Sequence, residues 1–501
     1  MESHTNFHQP QRQSPKAVVL ILLKYFRIII RQMWPILLVI LINPTKGKGF
    51  MITAVAFAVI LISLIYSLIA YTKYYFFIQN NELCVRSGVF RKTVLNVPFD
   101  RIQSVDFKRN LVHQFLNVVS VQIDTAGSKG SELELDAIEL ERAEELRNIV
   151  LAYKHSRGTT VQETTDNIPP IPEVQEVPEL ILSLSPRDLI KIGISENHLR
   201  TAAIIFAFFL GLADDLDQLL GWDVYGQLED TTTAMSLFGL LATIIAIPIF
   251  IGVSFMITLI RTVLRYYGLK FWREGMSFKV VSGLFTRNEK SIQKSKIQVI
   301  RWVTSPLKRI FGIYQLNIYQ ATNVDQNQDK SLVIPGCYQE QIDNTLDTIV
   351  PSFRGAIFTS HRMHPSIVRL MVFLFGFIPA VLFGLMAWFN DGMMQWLLTL
   401  VFPLAIWMGY LYQQKRRLKI HPDFIVSEGG IFGSSSKLIE IYKVQSVHLE
   451  SSPMQRRRGL TSLYVYTAGG DISFPYLQKE IAQSARDYIL YRVEFEQKSW
   501  M

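Results

Sequence analysis

The sequence has little cysteine and little charge. Cys84 and Cys337 are its only cysteines among 501 residues. Two thiols so far apart form neither a disulfide framework nor a metal motif, which excludes disulfide-stapled folds and zinc modules, and we expect both to be buried and inert. Charged residues make up 19% of the chain, below the roughly 25% of a typical soluble domain. A chain that is soluble throughout is therefore disfavoured.

The sequence also lacks the motifs of common enzymes. It has no glycine-rich phosphate loop, no His-x-x-x-His pair and no serine or cysteine elbow. The nine histidines are scattered, and only His361 and His364 share a short stretch, where we expect an interface. The net charge of +9 comes without an aromatic stacking motif, which argues against nucleic acid as a partner. We predict a protein that is not an enzyme and uses no cofactor or metal.

Apolar residues, 49% of the chain, are concentrated in long blocks. A membrane-spanning helix needs about 20 such residues. Four blocks meet this requirement, and two weaker ones are interrupted by basic or acidic residues. Residues 1–15 are polar and no cleavage site follows the first block, so we expect that block to remain as an anchor. Paired, the six blocks predict three transmembrane hairpins at about 17–72, 200–265 and 366–413.

The charges beside these blocks predict their orientation. The connection 213–231 contains six acidic residues and no lysine or arginine, whereas Arg261, Arg265 and Lys415 flank the opposite ends. Positive charge stays on the cytosolic side of a membrane. We therefore predict a bacterial plasma-membrane protein with six transmembrane helices and cytosolic N- and C-termini, although lysines in the first connection, at 46 and 48, run against the pattern.

A threefold repeat follows the hairpins. Each copy has a Gly, then a Gln 15 residues later, then an Ala 23 residues after that. Three anchors at constant spacing in three places indicate triplication of one unit. Ser14-Pro15, Ser185-Pro186 and His364-Pro365 precede each hairpin and suit helix starts. The nine signature residues are Gly88, Gln103, Ala126, Gly283, Gln298, Ala321, Gly430, Gln445 and Ala468.

Each soluble segment predicts a small α+β domain. In the first, alternating apolar and polar residues predict strands at 74–79, 83–87, 93–98, 104–108 and 118–125, and an apolar stripe predicts a closing helix at 136–153. Counterpart helices are expected at 339–350 and 478–493. The predicted units are hairpin 15–73, domain 74–154, a flexible Pro-rich acidic linker 155–184, hairpin 185–266, domain 267–353, hairpin 364–413 and domain 416–494.

The Ser-Gly-[Val/Leu/Ile]-Phe turn and the [Lys/Arg]-[Ile/Val]-Gln strand resemble the YdbS-like bacterial pleckstrin-homology (PH) domain family. Three copies, each behind a hairpin, resemble its YdbT-like membrane proteins. The resemblance implies PH-like β-sandwiches capped by a C-terminal helix, a smaller single-domain membrane companion, and a link to cell-envelope stress and antimicrobial resistance. The second copy departs from the pattern, with Gln320-Ala321-Thr322 at the strand end.

The signature residues have both a structural and a functional interpretation. Each glutamine suits an amide that bonds the backbone where a strand bends, or else a shared ligand contact; each glycine suits a turn. Basic clusters after the signature glutamines are candidates for anionic lipid headgroups, or else solvated surface. These clusters are Lys108-Arg109, Lys308-Arg309 and Arg456-Arg457-Arg458.

Two functions compete at this stage. The first is a non-enzymatic scaffold whose PH-like domains bind membrane lipids or a protein partner. The alternative is an exporter of lipid or antimicrobial peptide, although the four clear spans contain almost no ionisable residue of the kind that transport pathways use. The ligand and the oligomeric state are not determined by the sequence.

Overall fold

The computed structural model describes residues 7–24, 26–27, 49–89, 91–125, 133–158, 178–220, 237–321, 331–390, 400–496 and 498. Most of the first predicted transmembrane block lies outside these ranges. The tips of the three predicted hairpins and residues 159–177 of the predicted linker also lie outside them.

The first repeat runs from a long apolar helix into six strands and a closing helix. Its elements are α1 (Gly49–Thr72), β1 (Tyr75–Gln79), β2 (Glu82–Ser87), β3 (Thr93–Pro98), β4 (Ile102–Arg109), α2 (Leu111–Phe115), β5 (Val118–Thr125), β6 (Leu133–Glu139) and α3 (Leu140–Gly158).

The second repeat has the same order, with one further strand and a short helix in front. Its elements are β7 (Glu179–Ser183), α4 (Pro186–Ile194), α5 (His198–Leu220), α6 (Leu237–Tyr266), β8 (Lys270–Glu274), β9 (Ser277–Ser282), β10 (Arg287–Gln293), β11 (Ile297–Thr304), α7 (Pro306–Ile310), β12 (Tyr314–Gln320), β13 (Ser331–Cys337) and α8 (Gln339–Ile349).

The third repeat follows the second, with a π-helical segment at Phe373–Phe377. Its elements are β14 (Thr359–Arg362), α9 (Ser366–Val372), α10 (Ile378–Asn390), α11 (Val401–Lys415), β15 (Arg417–Ile420), β16 (Phe424–Gly429), β17 (Ser434–Glu440), β18 (Val444–Glu450), α12 (Pro453–Arg456), β19 (Leu460–Thr467), β20 (Gly470–Gln478) and α13 (Lys479–Glu496). In every repeat a single 3₁₀ turn joins the third and fourth strands of the domain.

The five strands predicted in the first domain are all present, and the sixth, β6, was not predicted. The closing helix begins at Leu140 rather than at residue 136, because residues 133–139 pair with β5 before the helix starts. The predicted helix start at Ser185-Pro186 is confirmed. The Ser185 hydroxyl accepts a hydrogen bond from the Asp188 backbone, and Asp188 caps the Ser185 amide in return.

The predicted linker is shorter than its composition indicated. Residues 179–183 form β7, which pairs antiparallel with β8, and Leu182 is buried. β14 pairs with β15 in the same way, and in the first repeat Gln11 forms an isolated bridge with Phe76 of β1. Strands of four or five residues are too short to show a clear alternation of apolar and polar residues, and their pairing depends on the neighbouring strand.

The sheets do not stop at domain boundaries. The orders are β1-β2-β3, then β6-β5-β4-β10-β9-β8-β7, then β13-β12-β11-β17-β16-β15-β14, then β18-β19-β20. Each seven-stranded sheet joins the second half of one domain to the first half of the next. The hydrophobic cores follow the sheets, since Phe424, Val426 and Leu438 of the third domain pack into the core of the second.

Two apolar helical stretches in the described ranges are long enough to cross a bilayer, Pro248–Tyr266 and Ser366–Met386. Shorter apolar helices occur at Ile60–Thr72 and His198–Phe208. α5 packs against α6, and α9 against α11, as helical hairpins would. Six spans in three hairpins, with cytosolic termini, stay a prediction.

Candidate functional site at the domain junctions and the membrane-facing helices

The two domain junctions use the same strands in the same register. The fourth strand of one domain pairs antiparallel with the third strand of the next: β4 with β10, and β11 with β17. Arg109 lies opposite Arg287 at the first junction. Their counterparts in the next repeats, Thr304 and Ser434, lie opposite each other at the second. The junction is therefore a property of the repeated unit.

The signature glutamines occupy a β-bulge at the start of each fourth strand. The register shifts on either side of Gln103, Gln298 and Gln445, so each is the extra residue in its ladder. A bulge bends the strand and redirects its side chain. Gln298 is 2% exposed, whereas Gln445 is exposed. The difference follows from contact with the next domain, because the third domain packs over Gln298, whereas Gln445 lies on the strand β18, which has β19 as its one neighbour among the described strands.

The turn after β19 covers Gln298. A Cβ placed on Gly469 would lie 2.5 Å from the Gln298 Cβ, which no side chain tolerates. Signature residue Ala468 precedes this glycine and is partly buried, Ala321 is buried at the end of β12, and Ala126 lies outside the described residues. The turn that follows the Ala468 anchor thus contacts the Gln298 anchor of the preceding copy at the second junction.

The signature glycines form the turn between the second and third strands. Gly88, Gly283 and Gly430 have φ of 110°, 107° and 131°, a region that residues with a Cβ rarely adopt. In the third domain the same turn contacts the second, since a Cβ on Gly433 would lie 2.1 Å from the Thr304 carbonyl oxygen. The sequence pattern marked Gly430 but gave no sign of Gly433.

A buried lysine crosses the second junction. Lys443, the basic residue two positions before Gln445, is 1% exposed in its side chain. Its Nζ donates to the Ile297 carbonyl at 2.6 Å and to the Glu440 carboxylate. A buried charge is tolerated only with partners of this kind. Sequence reasoning missed this residue, although Arg101 and Lys296 at the equivalent positions were a signal.

The first junction carries an ion-pair cluster and a carboxyl group. Glu289 of β10 bonds Arg147 of α3 at 2.6 Å and Lys279 at 2.8 Å. Burial alone would raise the pKa of Glu289, but the hydrogen bonds from Lys279 and Arg147 lower it. Asp106 of β4 accepts a hydrogen bond from the Ser291 backbone across the junction at 3.1 Å. Burial, with the nearby Asp124 charge, raises the pKa of Asp106 to about 7.

Asp106 makes the first junction pH-dependent. A carboxyl group whose pKa is raised on folding contributes its full stability below the unfolded pKa of about 4, and this contribution is lost as pH rises from there through the folded pKa of about 7. We expect the stabilisation by Asp106→Asn to be larger at pH 8 than at pH 5 by on the order of 1–2 kcal/mol, after a discount for partial exposure, because the folded carboxyl is still protonated at pH 5. Thermal unfolding of the whole chain at both pH values measures this. Asp487→Asn, at an exposed carboxylate, is the control, and equal shifts in both variants would contradict the assignment.

The short helix after the fourth strand of the first domain bonds a turn that contacts a predicted membrane helix. Gln114 of α2 donates to the Leu284 and Phe285 carbonyls at 3.2 Å each. These two residues belong to a turn that contacts the end of α6, where the Leu284 backbone N–H donates to the Leu264 carbonyl. The corresponding turn of the third domain contacts α11, where Phe432 lies 5.6 Å from Trp407, ring to ring.

These short helices expose apolar side chains. Phe115 of α2 is 89% exposed, Ile310 of α7 is 76% exposed, and Met454 of α12 is also exposed. Exposed aromatic and aliphatic groups on short helices that also carry basic residues are typical of surfaces that enter the interfacial layer of a bilayer. We call α2, α7 and α12, with the basic residues around them, the membrane-facing helices, for the lipid contact proposed below.

The candidate headgroup residues divide by exposure. Lys108 and Arg309 are exposed, as are Arg456, Arg457 and Arg458, and Arg109 is half-buried with a hydrogen bond to Asn117. Lys308 differs: it is buried and bonds Glu196 at 3.3 Å and Gln315 at 3.1 Å. Successive residues of a helix turn point about 100° apart, so Lys308 points inward while Arg309 points outward.

The cysteines and histidines contribute no reactive cluster within the described ranges. Cys84 and Cys337 are buried, and burial raises the pKa of the Cys337 thiol to about 12. No group of three potential metal ligands occurs there. The His364 backbone N–H donates to Tyr476, joining the third hairpin to its domain, and His361 lines an open cleft of about 660 Å³ between α13 and β14–β15.

Comparison with known proteins agrees with the triplication. The family described as Bacterial PH domain matches three times, at residues 18–154, 209–349 and 369–493. The chain is 23% identical over 474 residues to UPF0699 transmembrane protein YdbT of Bacillus subtilis (strain 168), covering 91% of this chain and 92% of that protein. The three repeats share the same bulge, turn and junction geometry, in agreement with the three family matches. Together with the similarity to a transmembrane protein, these matches show that the chain is a membrane protein belonging to the bacterial PH domain family.

Proposed function

We propose that the protein is a non-enzymatic membrane scaffold, which holds three PH-like domains as one row against the inner leaflet and binds anionic lipid there. The observation that carries the proposal is sheet continuity across both domain junctions. Domains joined by shared sheets and shared core residues cannot rotate freely as tethered domains do. Such a row suits a platform for assembly better than a set of independent modules.

Lipid contact is supported by the membrane-facing helices. Each presents apolar side chains close to basic ones, and a basic residue near an anionic surface contributes about 1 kcal/mol. The run Arg456–Arg458 lies at the end of α12 and is exposed. The Arg456 side chain donates to the Ser451 carbonyl at 3.2 Å, whereas the side chains of Arg457 and Arg458 make no such bond to any residue that the structure describes. Arg457 and Arg458 are therefore the better test positions.

We expect Arg457→Ser with Arg458→Ser to weaken binding of phosphatidylglycerol about tenfold, since two basic residues together contribute about 2 kcal/mol at most. The whole protein is reconstituted in nanodiscs of graded phosphatidylglycerol content, and the lipid retained after exchange is quantified by mass spectrometry. The control removes the same charge elsewhere, with Arg142→Ser and Arg486→Ser on the closing helices α3 and α13. Equal retention in both double variants would argue against headgroup contact by this loop.

The proposal includes a role of the scaffold in cell-envelope stress or antimicrobial resistance, which the resemblance to YdbT-like proteins supports. A strain lacking the protein is expected to become more sensitive to membrane-active peptides. Wild-type protein is expected to restore resistance, and the Arg457→Ser/Arg458→Ser variant to restore it only in part. Peptide flux in vesicles containing the protein distinguishes an exporter, because a scaffold gives no flux beyond that of empty vesicles.

A further inference from the structure

The row of domains ends in two unused strands. At each junction, a fourth strand pairs with the third strand of the following domain. Throughout the described ranges, β18, the fourth strand of the last domain, has no strand on its outer side, and neither has β3, the third strand of the first. One chain therefore carries both halves of a third junction, at opposite ends of the row.

The junction register predicts which residues would meet. Both existing junctions align the same repeat positions, with Thr304 opposite Ser434 in one and Arg109 opposite Arg287 in the other. A third junction in that register would place Glu450 opposite Thr93, Leu449 opposite Val94, and His448 opposite Leu95.

The chemistry of the two edges favours pairing. β3 contains no charged residue, and its Val94 is 62% exposed. Natural sheets protect open edges with lysine or a similar obstacle inside the strand, because a bare edge pairs with another chain. Val94 would cover the half-buried Leu449, and such apolar cross-strand pairs stabilise antiparallel sheets.

The bulge at the open end is also incomplete. Gln298 is buried beneath Gly469 of the next domain. Gln445, the equivalent residue of the third domain, is exposed. A domain paired with β18 in the junction register would cover it, as the third domain covers Gln298.

We propose that β18 of one copy pairs with β3 of a second copy, so that the protein assembles head to tail through its PH-like domains. Such a contact is heterologous, and it closes into a ring or continues as a filament. The second copy is the occupant that the structure supports, because it brings the complementary edge in the register of the two existing junctions. The inference does not depend on lipid binding.

Disulfide trapping between two differently tagged copies tests the register. One copy carries Val94→Cys and the other Leu449→Cys, they are co-expressed, and membranes are oxidised. A cross-link between the two tags can form only between chains. We expect at least tenfold more of it than from Thr93→Cys with Leu449→Cys, because Thr93 lies on the other face of β3. The native cysteines are buried and common to both arms.

Charge placement provides the second measurement. Val94→Lys with Leu449→Lys should convert the assembly to single chains in detergent, by mass photometry, whereas Val94→Lys with Leu449→Glu should retain it. The thermal unfolding of both variants is also measured, so that loss of assembly is distinguished from loss of folding. Wild-type protein that is a single chain and gives no cross-link above the control would overturn the proposal. So would trapping of Val94→Cys on a different protein, such as a single-domain companion, in place of a second copy.

Discussion

Replacing Gly433 by valine is expected to open the junction between the second and third domains. The Cβ of any residue at this position would lie 2.1 Å from the Thr304 carbonyl oxygen, and the obstacle is backbone rather than a side chain that could rotate. Either the turn or the end of β11 must move, which removes pairing at the Thr304–Ser434 end of the ladder. We expect a loss of about 3 kcal/mol, at the upper end for overpacking.

The measurement is thermal unfolding of the whole chain, where a loss of about 3 kcal/mol corresponds to roughly 6–12 °C in Tm for a unit of this size. Thr286 occupies the same turn position in the second domain and already carries a branched side chain. Thr286→Val is therefore the matched control, with an expected change below about 0.5 kcal/mol. If both variants unfolded together with wild type, the turn would not be held against Thr304 in solution.

Sequence patterns predicted the strands within each repeat, but they did not predict how adjacent domains pair with each other. Alternation in 93–98 and 118–125 predicted strands that are present, because successive side chains of a strand point to opposite faces of the sheet and leave a period of two in the sequence. Pairing between β4 and β10 leaves no such trace, since its partners are far apart along the chain and hydrogen-bond through the backbone. The shared sheets therefore became visible only in the structure.

The signature residues show the same limit. Constant spacing located Gln298. Its burial, however, depends on a bulge in β11 and on the turn of another domain, and the residues near Gln298 in the sequence indicate neither. In the basic clusters, Lys308 and Arg309 were treated alike, although the helical turn of α7 separates them into a buried and an exposed residue. Helical periodicity was the available signal there, and it is weak over five residues.

The second large effect is expected for Lys443→Met. The variant keeps the apolar stem of the side chain but removes the ammonium group that bonds the Ile297 carbonyl and the Glu440 carboxylate. Glu440, with 17% of its side chain exposed, would lose this partner. Removing one member of a buried pair costs about 3–5 kcal/mol in general, and the residual exposure of Glu440 lowers our expectation to about 2–3 kcal/mol.

Two further variants separate the pair from a general effect of losing a lysine. Lys419 bonds Glu428 at 2.7 Å in the same domain, with 28% and 29% of the side chains exposed. Lys419→Met should cost below about 1 kcal/mol, because a partly solvated pair contributes little. Lys443→Met combined with Glu440→Leu should recover most of the lost stability, since the stranded carboxylate is then gone. If the double variant were as unstable as Lys443→Met alone, the lost free energy of unfolding would come from the hydrogen bond to the Ile297 carbonyl. Lys443 would then stabilise the row of domains through that bond across the junction rather than through Glu440.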